Sequence, residues 1–380
     1  MDSLKVVSIC ALVAIGGLSL LLFLQPVQPE HVHAESISTD GPGQIRTYYI
    51  SADEVDWDYA PTGINQVTGK PFDEVAQTYV KNDSDRIGHV YTKAVYREYT
   101  DGTFTKLKPV SEKWKHLGIL GPAIHAEVGD TIKINFKNNA RFPFSIHPHG
   151  VFYEKDSEGA PYDDSTNKSG SIVAPGGNYT YIWQVPERAG PGPHDPSSIV
   201  WMYHSHVNEV KDTLAGLVGP IIITRHGYAN PDGTPKDVDQ EFVTLFTIYD
   251  ENNSPYLDYN IKRFAQVPSS VDVNDDGFVE SNKKHSINGY LFGNLPGLEM
   301  KSLTHVRWYV LGMGTETDIH TPHWHGQTLL MDGMRTDMVE LLPMSMKVLD
   351  MYPDNTGTWL YHCHVNDHLT AGMIALFSVK

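Results

Sequence analysis

Four His-x-His pairs recur in two matched halves of the chain, and that pattern limits its fold to strands. The first half has His147 and His149 in "HPHG", then His204 and His206 in "YHSH". The second has His320, His323 and His325 in "HTPHWHG", then His362 and His364 in "YHCH". Successive side chains on a strand point to opposite faces, so His-x-His puts two imidazoles on one face about 7 Å apart along the strand. Two such strands side by side make a patch of imidazoles, and each half repeats the arrangement. The flanking segments agree with strands. In "DTIKINFKN", Ile132, Ile134 and Phe136 alternate with polar residues, and "YTYIWQV" and "HVRWYVL" alternate similarly, as in sheets with one buried face. No sustained helical period competes. A turn cluster, "NPDGTP" (Asn230 to Pro235), separates the halves, so the chain is expected to form two β-sandwich domains at 45–228 and 240–380, joined by a linker at 229–239.

Ahead of the sandwiches lies an uncharged apolar run, Val6 to Leu24, about long enough to cross a bilayer and longer than a usual signal-peptide core. The segment 1–25 is expected to be a membrane anchor, with a removed signal ending near "VHA" (Val32 to Ala34) as the alternative, and 26–44 a polar linker. Both place the rest of the chain outside the cytoplasm. The net charge of -17 argues against nucleic-acid partners. Of the two cysteines, Cys10 lies inside the apolar run, so no intramolecular disulfide with Cys363 is expected. "DVNDDG" (Asp272 to Gly277) lacks the full ligand spacing of a calcium loop and reads as a polar turn.

Cys363 stands between His362 and His364 and therefore faces into its own domain while they face out. A thiolate there, with His320, His368 and a weak axial Met373, supplies the donor set of a blue electron-transfer copper. The same cysteine is then a covalent link between that metal and whatever its two neighbours bind. A structural zinc would explain four ligands, but it has no use for ten clustered histidines and a thioether.

At these residues the chain resembles the multicopper oxidases, whose signature is HxHG, HxH, HxxHxH and HCHxxxHxxxxM in that order. The resemblance implies an all-β fold of two tandem cupredoxin-like Greek-key β-sandwich domains. It implies a type 1 copper at His320, Cys363, His368 and Met373, and a type 2 copper at His147 and His323. A type 3 pair would take His149, His204, His206, His325, His362 and His364, giving four coppers per functional unit. The implied activity couples one-electron oxidation of a substrate at the type 1 site to four-electron reduction of O2 to water at the trinuclear cluster. That reduction also needs protons, and Glu209 and Asp212, just after "YHSH", are candidate donors.

A narrower resemblance joins "HSHVNEVKDTLAGLVGPIII", "ESNKKHSINGYLFGNLPGLEM" and "WYVLGMGTETDIHTPHWHG" to the ceruloplasmin–hephaestin, iron-oxidising branch of the family. It implies Fe(II) as the favoured electron donor and an iron site at Glu280, His285 and Asp367, where oxygen ligands and one imidazole suit the ion. Lys284 departs from that pattern, and its charge is expected to weaken cation binding if it faces the pocket. Alternatives are a laccase-like phenol oxidase, a copper nitrite reductase, which would carry its type 1 cysteine in the first domain, and a non-enzymatic copper-binding protein. A two-domain chain is also expected to need partners. Three copies in a ring, with the first domain of one facing the second domain of the next, would complete each trinuclear site between chains of a homotrimer.

Overall fold

The computed structural model describes residues 43–166 and 169–380. The expected anchor or signal at 1–25, Cys10 and nearly all of the linker at 26–44 lie outside the described residues. Among the described residues, no helix is long and apolar enough to cross a membrane.

The two halves repeat one topology. In the first, Ile45–Asp58 pairs antiparallel with Val90–Glu98 and parallel with Thr131–Asn138, and the sheet continues antiparallel through Asn178–Gln184 to Phe152–Tyr153. In the second, Gln240–Asp250 pairs antiparallel with Lys283–Ile287 and parallel with Val306–Gly312. That sheet continues through Met346–Met351 and Leu329–Met331 to Met334–Thr336. The partner sheets match as well. Ile124–Glu127, Val218–Thr224, Ser198–His204 and His147–Pro148 lie in that order in the first half. Glu299–Met300, Ile374–Val379, Gly357–Cys363 and Pro322–Trp324 follow the same order in the second. One parallel pairing in each otherwise antiparallel sheet comes from a strand returning by a long connection, the crossing of a Greek key. The fold is thus the expected all-β pair of sandwiches.

Each sandwich has its own core. Ile50, Ile132, Ile134, Phe136, Tyr181 and Trp183 pack in the first, and Phe242, Trp308, Val310, Trp324, Tyr361 and Phe377 in the second. Thr131–Asn138 shows the expected alternation of buried and half-buried residues. Val306–Gly312, expected to have one buried face, is buried on both. Trp308 and Val310 enter their own core, whereas Tyr309 and Leu311 pack with Val200, Met202, Val218 and Ile222 of the first sandwich. A second mixed cluster joins Tyr59, Ala76, Val80 and Tyr91 to Tyr249, Phe278 and Phe292. Each large side chain buried there is worth about 1.5–3 kcal/mol against exposure, so the sandwiches form one compact unit.

Among the described residues, five short α-helices decorate the sheets: α1 (Glu74–Val80), α2 (Glu209–Ala215), α3 (Leu257–Phe264), α4 (Asp276–Ser281) and α5 (Asn366–Thr370). The "DVNDDG" turn starts α4, where the Asp275 carboxylate accepts the Phe278 N–H at 2.8 Å as an N-cap. Helix α2 begins three residues after His206, α4 carries Glu280, and α5 carries Asp367 and His368.

Candidate metal centre

The strand Gly357–Cys363 ends on its cysteine, and α5 turns the chain back so that His368 and then Met373 return beside it. Cys363 Sγ lies 3.9 Å from His320 Nδ1 and 3.7 Å from His368 Nδ1, and these two nitrogens are 3.1 Å apart. Met373 is fully buried in the same core, its carbonyl accepting the Cys363 N–H and its N–H donating to the His368 carbonyl. The sulfur accepts two backbone N–H groups, from Thr321 at 3.5 Å and Val365 at 3.4 Å. Burial raises the thiol pKa more than those donors lower it, so a nearby cation is what would make it a thiolate. His368 is pushed down to about 4 by burial and then by His320, which leaves its ring neutral and able to ligate.

The outward histidines gather in two separate half-sites. His147 stands opposite His204 in strand register, and His323 opposite His362. In the first half-site the His147 ring lies 5.5 Å from His149, 5.5 Å from His204 and 5.1 Å from His206. In the second, His323 lies 4.7, 5.3 and 5.3 Å from His325, His362 and His364. Both glycines of the HxHG motifs are required. Gly150 (φ 75°) and Gly326 (φ 66°) occupy the left-handed region, and a Cβ would run into the indole of Trp201 and of Trp359 respectively.

Backbone carbonyls set the tautomers. The Nδ1 atoms of His147, His204 and His362 lie 2.7, 3.1 and 2.8 Å from the carbonyls of Glu158, Ser205 and Cys363. A carbonyl only accepts, so Nδ1 carries the proton and Nε2 presents its lone pair. The Nε2 atoms converge in pairs: His149 and His204 Nε2 are 3.1 Å apart, and His325 and His362 Nε2 are 3.0 Å apart. Burial, followed by the neighbouring imidazoles, lowers His149 to about 4, and burial lowers His204 to about 3, so these two rings resist a positive charge. Converging imidazole nitrogens suit a metal cation, and with the thiol and thioether of the Cys363 site the donor types fit copper. Among the described residues, no ring contact or donor cluster joins the first half-site to the second. The first opens into a cavity of about 410 Å³ lined by His147, His149, Phe152 and Arg188.

Of the candidate proton donors, Glu209 is on the rim, with Oε2 3.3 Å from His206 Nε2. Asp212 is buried one layer behind. Its Oδ2 accepts the Ser205 hydroxyl at 2.7 Å and the Asn208 N–H at 3.0 Å, and burial raises its pKa despite these bonds.

His285 is brought against the cysteine site, its ring 5.1 Å from His368 and its Nδ1 buried without a hydrogen-bond partner. Burial first, then His368, lowers it to about 4. Glu280 accepts the Tyr79 hydroxyl at 2.9 Å and the Lys283 ammonium at 3.0 Å. Burial raises its pKa, but these donors outweigh burial and hold it below the usual range. Burial raises the Tyr79 pKa, and Glu280 and then Asp367, exposed at the start of α5, add to the rise. Tyr79 thus touches both Glu280 and His285. The concern over Lys284 is corrected: it points away from this pocket and is fully buried, because alternate residues of Lys283–Ile287 face opposite sides and His285 takes the pocket side. Sequence reasoning missed Tyr79, some 200 residues from Glu280 and without a motif. It also missed Asp318, whose Oδ1 lies 3.4 Å from His320 Nε2 and which could have been noticed two residues before that histidine.

The chain belongs to the multicopper oxidase family: sequence profiles described as "Multicopper oxidase" match residues 116–227 and 263–380. It is 48% identical to "Ferroxidase HEPHL1" of Homo sapiens, over 88% of this chain and 29% of that protein. It is 46% identical to "Hephaestin" of Rattus norvegicus (90% and 30%) and 42% identical to "Ceruloplasmin" of Homo sapiens (88% and 32%). The chain thus spans about a third of the length of these relatives. Solved structures share its fold. A "Crystal structure of multicopper oxidase" superposes with a TM-score of 0.56 at 19% identity, covering 88% of this chain and 89% of that one. The "Blue Copper Oxidase from Nitrosomonas europaea" gives 0.54 at 18%, covering 88% and 86%. Copper is accordingly the cofactor.

Proposed function

We propose that the chain is an O2-reducing copper oxidase whose favoured electron donor is Fe(II). The observation that carries the substrate assignment is the contact of His285 with His368, which brings the one imidazole of the Glu280, His285 and Asp367 set against a ligand of the Cys363 site. Bound copper would supply the redox chemistry: a type 1 ion on His320, Cys363, His368 and Met373, a type 2 ion on His147 and His323, and a type 3 pair on His149, His204, His206, His325, His362 and His364, where O2 is reduced to water.

The chain's own residues organise that chemistry. Glu280, His285 and Asp367 bind and orient Fe(II). The Thr321 and Val365 N–H groups hold the sulfur in place, and adjacent peptides join Cys363 to His362 and His364, an unbroken covalent path between ligand sets. Glu209 exchanges protons with solvent at the rim, and Asp212, with its raised pKa, serves as a buried store behind Ser205. The two half-sites are apart within one chain, which supports a homotrimer in which the first sandwich of one copy meets the second of the next. We place the domain division at 229–239 and assign the Val6 to Leu24 run as an anchor holding both domains outside the cytoplasm.

Oxygen uptake by the copper-loaded protein, with Fe(II) against a bulky phenol, tests the assignment. Fe(II) should give the higher kcat/KM. A preference for the phenol would make the protein laccase-like, and no uptake with either would leave copper binding alone.

A further inference from the structure

Lys284 has an unusual environment. Its amino group is fully buried, which pulls its pKa down to about 7, and it lies within donor distance of three backbone carbonyls, Tyr79 O at 2.6 Å, Gly88 O at 2.8 Å and Ser281 O at 2.6 Å, a set that takes up all three N–H donors of the ammonium form. The Tyr91 ring lies 5.0 Å away. The nearby buried acid, Glu251, pairs with Lys93 instead. Tyr79 lies in the last turn of α1 and Ser281 is the last residue of α4, and neither helix has a basic residue in its own last turn. The final carbonyls of a helix lack intrahelical donors and carry the negative end of its dipole. One ammonium thus serves two helix ends, α1 from the first sandwich and α4 from the second.

These two helices carry the groups that meet in the pocket. Tyr79 on α1 donates to Glu280 on α4 and sets its ring edge-on to His285, with centroids 5.9 Å apart. We infer that Lys284 is the positioning residue of the divalent-cation pocket: by tying the ends of α1 and α4 together it lets Tyr79 hold Glu280 where His285 and Asp367 can share the ion. The inference rests on the iron-pocket assignment. It gives the departure at this position a role opposite to repelling the substrate. Without the ammonium the three carbonyls lose their donors, the helix ends separate, and the Tyr79–Glu280 contact loosens while the Cys363 site keeps its ligands.

The test uses the full copper-loaded chain, so that the histidine sites are filled, with Co(II) as a redox-inert probe followed by calorimetry. Lys284→Met should weaken Co(II) binding and raise KM for Fe(II), each roughly tenfold as for other groups that orient metal ligands. Blue absorbance and phenol turnover should stay within about twofold. Amide exchange should quicken at the ends of α1 and α4. If Lys284→Met does not fold, Lys284→Arg carries the test: charge and donors remain but are displaced, so the same contrast between Co(II) and phenol should appear in weaker form. Wild-type Co(II) affinity in the folded variant, or equal loss of iron and phenol turnover, overturns the inference. Glu280→Ala separates the two levels. If that variant leaves Co(II) binding unchanged, the pocket assignment falls and this inference with it; if it weakens binding while the Lys284 variant does not, only the inference falls.

Discussion

The imidazole of His285 lies 5.1 Å from that of His368, ring centre to ring centre, at an interplanar angle of 49°. One ring belongs to a strand beside the sandwich interface and the other to the helix that follows Cys363, so an ion held on His285 would be one van der Waals contact from a ligand of the cysteine site.

That contact predicts a selective lesion. Glu280→Ala, His285→Ala and Asp367→Asn should raise KM for Fe(II) roughly 10- to 100-fold, the range for removing groups that hold or orient a metal. Phenol oxidation should persist, since a phenol has no need of hard ligands. Steady-state kinetics with both donors decide the matter, and equal losses would mean that these residues support the copper site rather than select iron.

The cysteine site predicts colour. Only Cys363 offers thiolate charge transfer among the described cysteines, so Cys363→Ser should abolish the intense blue absorption and turnover while the outward histidines still take up copper. Met373→Leu should keep the colour and raise the reduction potential, because a weak axial donor to Cu(II) is lost. A blue Cys363→Ser protein would rule out the assigned ligand set.

The separated half-sites predict complementation. Mixing a His204→Ala/His206→Ala chain with a His362→Ala/His364→Ala chain should restore part of the O2 uptake that each lacks alone, since some interfaces in a mixed ring carry both intact halves. Light scattering should give a trimer mass for the active species. A fully active monomer, with no complementation, would contradict the ring.

The copper-free protein should lose stability in mild acid. Folded pKa values are lowered to about 3 for His116 and His204 and to about 4 for His149, His285 and His368, in each case chiefly by burial. Unfolded histidines titrate near 6.5, so between about 6.5 and 4 the unfolded chain binds more protons and stability falls as pH falls. His305 opposes this, because its Asp350 contact outweighs burial and raises its pKa, but burial also lowers His147, His323 and His362, so among the described residues it is one histidine against eight. Thermal unfolding of metal-stripped protein at pH 7, 6 and 5 should show a falling Tm. Copper loading should remove the part of the slope due to the ligands, leaving the part due to His116 and His285. A flat Tm in the stripped protein would mean that these rings are hydrated and not buried.

Much of the site was legible in the chain because its ligands are local. His-x-His in a strand, a cysteine between two histidines, and His368 and Met373 one turn and one loop later are fixed by spacings of two to five residues, and strand alternation alone sends Cys363 inward and its neighbours outward. The repeat of those spacings also announced the repeated sandwich. What spacing could not reveal are relationships across the interface between the halves. Val306–Gly312 reads as a one-faced strand yet is buried on both sides, because Tyr309 and Leu311 meet the first sandwich. Lys284 reads as a charge beside His285 yet becomes a tie between two helices, and Tyr79 joins Glu280 from a distant segment. Local chemistry determines which atoms can bind a metal. Only the packing of one sandwich on the other decides which side chains surround the substrate, because that packing depends on burial summed over both halves and not on any short run of residues.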